Sequence, residues 1–301
     1  MKKVQILMST YNGEKYIKTQ IDSILEQDYR EIFLAIRDDG STDHTVEILK
    51  QYEEKYKNIS VKQEENVGVI KSFFELVQNA DENSDYYAFS DQDDKWLKHK
   101  ISRAVECLEK EDRDIPLLYC SNKILVDKEL NPIHSEIDYT KEMFPSFGNA
   151  LVQNICTGCT CVFNKKLYES IKNNIPNKII MHDWWLYLVA TAFGKVIYDK
   201  KSYILYRQHE GNVHGTIIKK RELLYHRWQE LWKDRGEIYG QLEEFKRRYL
   251  LDIEEKELLE KVLKAKKGIK NKVNLMREKR VKRQFPKEDN MYRIMILLGK
   301  L

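Results

Sequence analysis

The sequence predicts an α/β fold: a mostly parallel central sheet flanked by helices, followed by an α-helical C-terminal extension. Three observations predict it. Short apolar strands alternate with helical repeats from Val4 to Glu109, and the connections are short. Polar or acidic clusters stand just after three of the strands: Thr10-Tyr11-Asn12, Asp38-Asp39 and Asp91–Asp94. From about Thr216 to Leu301 only helical spacing remains.

Taken in order, Val4–Ser9 is the first strand, and Gly13–Gln27 is a helix with apolar residues at Tyr16, Ile17, Ile21, Ile24 and Leu25. Ile32–Ile36 is the second strand. Ser41-Thr42-Asp43 then starts a helix carrying Val46, Ile48, Leu49 and Tyr52. Ile59–Lys62 is the third strand, and Val67–Ala80 the helix after it. Tyr86–Ser90 is a buried strand running out into a polar turn, with Trp96–Glu109 as the fourth helix. After Asp114 the rhythm changes. Strands are expected at Leu117–Cys120, Lys123–Val126, Cys156–Phe163, Lys195–Ile197 and Ser202–Tyr206, and helices at Lys165–Lys172 and Met181–Phe193. Asp138–Phe147 is irregular and aromatic-rich. The chain thus divides into a unit over 1–215, with a break near 114, and a helical extension over 216–301.

Bulk properties narrow the function. The net charge of +4 hides an asymmetry: residues 216–301 carry 24 Lys+Arg against 14 Asp+Glu (+10), leaving 28 against 34 (−6) for 1–215. Such a split suggests two jobs. No apolar run approaches the ~20 residues of a membrane span. The first apolar run is only Val4–Met8, with Gln5 inside it, so a signal peptide is not expected. Five cysteines, an odd number, suggest a reducing cytoplasm. Cys156-x-x-Cys159 has no second pair, which argues against structural zinc. Asp91–Asp94 does not open a calcium EF-hand loop, because the sixth residue is Trp96 and the twelfth Ser102. The chain has no G-x-x-x-x-G-K-[ST] loop and no G-x-G-x-x-G fingerprint, against P-loop and dinucleotide enzymes.

The polar clusters carry the chemistry. Asp91, Asp93 and Asp94 raise each other's pKa unless a cation offsets them, and a hard divalent ion, Mg²⁺ or Mn²⁺, is the natural candidate. The alternative is a solvated acidic turn capping the helix from Trp96. Ligands of a parallel sheet bind beyond the carboxyl ends of its strands, where all three clusters fall. A diphosphate-linked donor needs what they offer. A carboxylate accepts the imide N–H of uracil or thymine, an aromatic ring stacks on the base, and a metal neutralises the phosphates. Asp38-Asp39-Gly40 also reads as a plain turn and cap. Asn66 and Gly68 let the backbone approach a ligand, or simply turn the chain into its helix.

On the motifs STYNGEKYI, RDDGSTD, ENVG, SDQDD, MHDWW and YRQH, residues 1–215 resemble the family 2 glycosyltransferases with the GT-A fold. SDQDDKW, HDWW and YRQH are most similar to the bacterial rhamnosyltransferase-like branch. The resemblance implies a nucleotide-sugar-binding part over 1–114 and an acceptor and catalytic part over 115–215. It implies that Thr10, Tyr11 and Asp39 contact the nucleotide, with Asn12, Asn66, Gly68, Lys71 and Asp91 on the same donor. Asp91 and Asp93 form the metal-binding DxD element, Asp93 as direct ligand, and His209 matches a histidine that ligates the same metal. Asp183 matches the general base, and Gly158 a glycine-bearing loop beside the donor sugar. His182 stands where many members have Glu and receives no role.

The residues themselves leave alternatives. Asp183 opens an apolar helix and serves as a cap or as a base. Trp184 and Trp185 stack on an acceptor sugar or fill core. His209 is a metal ligand or a polar residue after a strand, and Lys71 and Arg207 assist phosphates or are solvated. The activity implied is inverting, Mn²⁺- or Mg²⁺-dependent transfer from a dTDP-sugar, rhamnose first, or a UDP-hexose. The acceptor is a hydroxyl of a cell-surface polysaccharide, a lipid-linked glycan or a glycoprotein glycan. The competing reading is a non-catalytic module of the same fold acting through its basic tail. Lys261–Arg283 carries eleven Lys+Arg against one Glu278, Pro286 breaks it, and Met291–Leu298 is apolar. That tail packs on the first unit, forms a homo-oligomer, or binds an anionic leaflet at the inner face of the membrane. Nucleic acid is not expected, because stacking aromatics are not interleaved with the charges.

Overall fold

The structure, a computed structural model, describes residues 1–134, 143–209 and 236–299. Its elements are β1 (Val4–Thr10), α1 (Ile17–Leu25), β2 (Ile32–Asp38), α2 (Thr45–Lys55), β3 (Ile59–Gln63), α3 (Val69–Gln78), β4 (Tyr86–Ser90) and β5 (Lys95–Trp96). Then come α4 (Lys100–Leu108), β6 (Leu117–Val126), α5 (Phe147–Ala150), a 3₁₀ turn (Gly158–Thr160), β7 (Val162–Asn164), α6 (Lys165–Lys172), α7 (His182–Phe193) and β8 (Lys195–Arg207). The extension contributes α8 (Glu237–Arg248), α9 (Ile253–Lys264), α10 (Ile269–Arg277) and α11 (Pro286–Leu298).

The strands form one sheet in the order β3-β2-β1-β4-β7-β6-β8-β5. Pairings β3-β2, β2-β1, β1-β4 and β6-β8 are parallel; β4-β7, β7-β6 and β8-β5 are antiparallel. The parallel register fixes where the chemistry falls. Thr10 pairs with Asp38 and Met8 with Ser90, so the residues after β1, β2 and β4 leave the sheet at one rim.

The sheet is covered on both faces, as parallel sheets require. Successive residues of a strand point to opposite faces. On β4, Tyr86 and Ala88 join the core beneath α1, α2 and α4, whereas Tyr87 and Phe89 join the core beneath α3, α6 and α7. The second core also takes Ile238, Leu242, Phe245, Leu258, Leu259 and Val262 from the extension. Phe245 is fully buried and meets Trp185 edge-on at 5.5 Å. The described part of the extension is therefore built into the same core as the sheet. Its apolar stripe was legible as a helical pattern; its docking site was not.

Several boundaries differ from the sequence reading. Lys95–Trp96 is a strand, not the start of a helix: Trp96 pairs with Ile204, its N–H donates to Ser23 Oγ at 2.9 Å, and its ring is buried. The following helix begins at Lys100 with His99 before it, so the acidic turn does not cap it. Cys156–Phe163 is not one strand, because a 3₁₀ turn occupies Gly158–Thr160. The two strands read over 117–126 are one, and so are the two over 195–206. Pro286 starts the last helix instead of only ending a basic one, at a position where a missing N–H costs nothing. The helical expectation over residues 216–235 lies outside the described residues.

Replacing Phe245 with Ala should lower the unfolding free energy by about 3–5 kcal/mol, the usual loss for a buried aromatic ring. Denaturant melts check it, and a loss below about 1 kcal/mol would separate the extension from the core.

Candidate active site

Asp39 follows β2, and its backbone N–H donates to Thr10 O at 2.7 Å across the rim. Its carboxylate accepts the N–H groups of Val67 and Gly68, both at 2.9 Å. Gly68 has φ +82°, a left-handed conformation that a side chain would strain. The Arg37 guanidinium pairs with the same carboxylate. Arg37 is buried, and its remaining donors reach Glu75 Oε2 at 2.7 Å, Ser72 Oγ at 3.2 Å and Glu65 O at 3.0 Å. Asp39 is thereby locked in one orientation at the cleft wall. The Gln92 side-chain amide joins the first loop to the acidic turn, accepting from Tyr11 N at 2.8 Å and donating to Tyr11 O at 2.9 Å.

In the acidic turn, Asp91 and Asp93 line the cleft and Asp94 points into the core. Asp93 Oδ2 lies 2.7 Å from His209 Nε2. Asp94 Oδ1 accepts the Arg207 N–H at 3.1 Å, while Asp94 Oδ2 is buried with no partner among the described residues. Ligand atoms of Asp91, Asp94 and Cys159 lie within 4.8 Å of one another. Burial, Asp93 and Asp183 push the Asp91 carboxyl up to about 7. Burial first, then Asp93 and Asp91, hold Asp94 well above the carboxylate range. An orphaned carboxylate oxygen, crowded like charges and a facing imidazole fit a divalent cation.

Asp183 sits in the first turn of α7. Its Oδ1 accepts from Asn154 Nδ2 at 2.9 Å and Trp184 N at 2.7 Å, and its Oδ2 from Gly158 N at 2.9 Å. Burial raises its pKa to about 6 in spite of these bonds and of Lys123 nearby. Gly158 has no room for a side chain: a Cβ there would lie 2.9 Å from His182 Nε2. Asp39, Asp91, Asp93, Gly158, Asp183 and Trp184 line one cleft of about 810 Å³. That volume is in the range of small-molecule sites.

The model of glycosyl transferase family 2 matches residues 5–172, more than half of the chain. Over 247 residues the chain is 37% identical to the dTDP-rhamnosyl transferase RfbG of Shigella flexneri, covering 73% of this chain and 80% of that one. The chain belongs to glycosyl transferase family 2. The uncharacterised glycosyltransferase RT0329 of Rickettsia typhi is 26% identical over 231 residues, 76% of this chain and 70% of that one. S. aureus TarS 1–349 in complex with UDP-GlcNAc shares the fold, with TM-score 0.61 and 18% identity over 91% of this chain and 78% of that one. So does the Pyrobaculum calidifontis mannosyltransferase PcManGT in complex with GDP-Man and Mn²⁺, with TM-score 0.60 and 15% identity over 99% and 85%. This chain is a glycosyltransferase of the GT-A fold.

Within this glycosyltransferase the cleft gathers Tyr11, Asp39, Asn66, Gly68, Asp91, Asp93, Gly158, Asp183 and Trp184, and His209 meets Asp93. Other residues singled out in the sequence stand off its wall. Thr10 is buried and donates to Asp38 Oδ1 at 3.0 Å. Asn12 staples two loops, accepting from Thr42 N at 2.8 Å. Lys71 is exposed, 4.0 Å from Glu75. Trp185 is fully buried against Phe245, because consecutive helical residues face about 100° apart; only Trp184 reaches the cleft. Arg207 holds the acidic turn, donating to Asp93 O at 2.7 Å.

The sequence reading missed Arg37, Gln92, Lys123 and Asn154. Arg37 sits inside the RDDGSTD motif, so a signal for it was present. Gln92 likewise sits inside SDQDD, whereas Lys123 and Asn154 depend on contacts remote in sequence.

Arg37→Met leaves Asp39 and Glu75 without their buried cation. A stability loss of about 3–5 kcal/mol is expected in thermal or denaturant melts. Wild-type melting would show that the pair is dispensable.

Proposed function

We propose that the protein transfers a sugar, with inversion and with the help of a divalent metal, from a nucleoside-diphosphate donor to a glycan hydroxyl. One observation carries this reading: Asp39, Asp91, Asp93 and Asp183 share a single cleft. Similarity to a dTDP-rhamnosyl transferase favours dTDP-rhamnose as donor, with a UDP-hexose next. The acceptor is a hydroxyl of a cell-surface polysaccharide, a lipid-linked glycan or a glycoprotein glycan.

In this reading Asp39 accepts the imide N–H of the pyrimidine, and Tyr11, half exposed beside it, stacks on the base. Asp91, Asp93 and His209 would hold Mn²⁺ or Mg²⁺. That ion, when bound, neutralises charge on the departing diphosphate. Asp183 takes the proton from the acceptor hydroxyl as that oxygen attacks the anomeric carbon from the face opposite the diphosphate. Asn154 and the Gly158 N–H fix the orientation of its carboxylate. Trp184 offers a ring to the acceptor sugar. The non-catalytic reading is not favoured, since family and cleft both supply the parts of a transferase.

The extension is read as a support with a second use. Tyr292, Met295 and Ile296 of α11 are buried, whereas Ile294, Leu297 and Leu298 are exposed, as is Ile269 of α10. Among the described residues, no helix is long and apolar enough to cross a membrane. These exposed residues and the surrounding lysines suit peripheral contact with the anionic inner leaflet from the cytoplasm, with a second copy of the chain as the other occupant. Co-sedimentation with anionic vesicles, lost at high salt, supports the leaflet; a dimer mass in solution without vesicle binding supports the second copy.

Asp183→Asn should lower transfer about 10²–10⁴-fold while leaving donor affinity within a few-fold, because an amide cannot accept the proton. Strong residual transfer would remove Asp183 from the base role. The base must be ionised, so kcat/KM should fall as pH drops through about 6. A flat profile from pH 5 to 7 would contradict the assignment. Asp93→Ala should abolish Mn²⁺-dependent donor binding and turnover, with melting unchanged. Full activity after exhaustive chelation would refute the metal role.

A further inference from the structure

Lys123 lies on the floor of the cleft, and nothing above uses it. Its place in the strand is unusual. β6 pairs with β8 through Ser121 with Asp199, Asn122 with Ser202 and Ile124 with Leu205, so Lys123 falls in a break of the register. The extra residues at both shifts belong to β8, so β6 keeps its own alternation. Lys123 shares its face with Tyr119 and Leu125 and lines the cleft beside Tyr206.

The surroundings leave this ammonium underused. It has three N–H donors. Among the described residues it donates once, to Thr157 Oγ1 at 3.2 Å, and lies 4.1 Å from the centroid of the Tyr206 ring. Asp94, Asp183 and Asp91 all act on its charge, with no ion pair to it among the described residues. Burial pulls its pKa down and these carboxylates oppose that. Lys123 is part-buried at the cleft wall, so its open donors face the cleft, where a ligand can replace water.

Its position selects which part of the ligand. The diphosphate belongs with Asp93 and His209, and the acceptor with Trp184. Lys123 stands instead by Thr157, next to the Gly158 turn that holds Asp183. Resting on the proposed donor reading, we propose that Lys123 grips a hydroxyl of the sugar being transferred, with its two open N–H groups, beside Thr157 and the Gly158 turn. It is then a residue that selects and orients the donor sugar, not a contact to nucleotide or phosphate.

The test compares a nucleotide with its sugar. Calorimetric titrations of wild type and Lys123→Met use dTDP and dTDP-rhamnose, each with Mn²⁺. Lys123→Met should bind dTDP within about twofold of wild type and dTDP-rhamnose about 10–100-fold more weakly, the loss typical of a hydrogen bond from a charged donor. Equal weakening of both ligands would move Lys123 to the diphosphate and overturn the inference. Unchanged binding of both would overturn it as well.

A second measurement needs no folded Met variant. In wild type labelled at the lysine ε-carbon, the Lys123 resonance, assigned with Lys123→Arg, should shift with dTDP-rhamnose and not with dTDP. An equal shift with dTDP would refute the sugar contact. If wild type binds neither ligand, the donor reading itself fails, and this inference with it.

Discussion

Carboxylates brought together in a partly dehydrated cleft repel one another, and each is disfavoured in its charged form. Asp91, Asp94 and Asp183 are held in this way, all three with raised pKa values and burial as the first cause. Most of the surrounding polar structure offsets that cost. Arg207 donates its backbone N–H to Asp94 and its guanidinium to the carbonyl of Asp93. His209 faces Asp93, and the Lys123 charge interacts with Asp94, Asp183 and Asp91. Asp39, by contrast, is matched at close range by Arg37 and by two backbone N–H groups. The cleft therefore has a saturated end, fit for reading a neutral base, and an undersaturated end, fit for a cation and a reaction.

The sheet sets this arrangement first, and bonds between the loops then hold it, such as Gln92 to Tyr11 and Asn12 to Thr42. Parallel strands in register end together, so whatever follows them shares one rim. The pairing of Thr10 with Asp38 is enough to bring the first two loops side by side. The acidic turn is then fixed from the far edge. β5 is only two residues long, yet it pairs with β8, and β8 ends at Arg207 and leads directly to His209. His209, which faces Asp93, thus arrives by the same strand that clamps the acidic turn.

What the sequence made legible was what local pattern encodes. The apolar run of Tyr86 to Phe89, the helix around Phe73 and the motif clusters were enough to predict a covered sheet with a polar rim. Trp96 shows where local pattern ends: it opens an apolar helical spacing, and its antiparallel pairing to Ile204 overrides that spacing. Trp184 and Trp185 are equivalent in composition, and only the rotation of α7 against Phe245 separates a cleft residue from a core one. Lys123 was unreadable for another reason: its neighbours Thr157 and Tyr206 come from segments remote in sequence, and nothing around Lys123 itself signals them.

His182 ties the site back to its electrostatic constraint. Both its ring nitrogens are buried and without a hydrogen-bond partner among the described residues, and its ring stacks on Phe73 at 4.1 Å. Burial pulls its pKa down to about 3, so the ring is neutral beside Asp183. A carboxylate at this position would add another negative charge to a cleft already crowded with them, next to Phe73 and Phe89, which cannot solvate it. A neutral ring adds none. It also sets the space that Gly158 must leave empty, and Gly158 in turn presents the N–H that orients Asp183. The same imidazole therefore spares the cleft a charge and shapes the turn that orients Asp183.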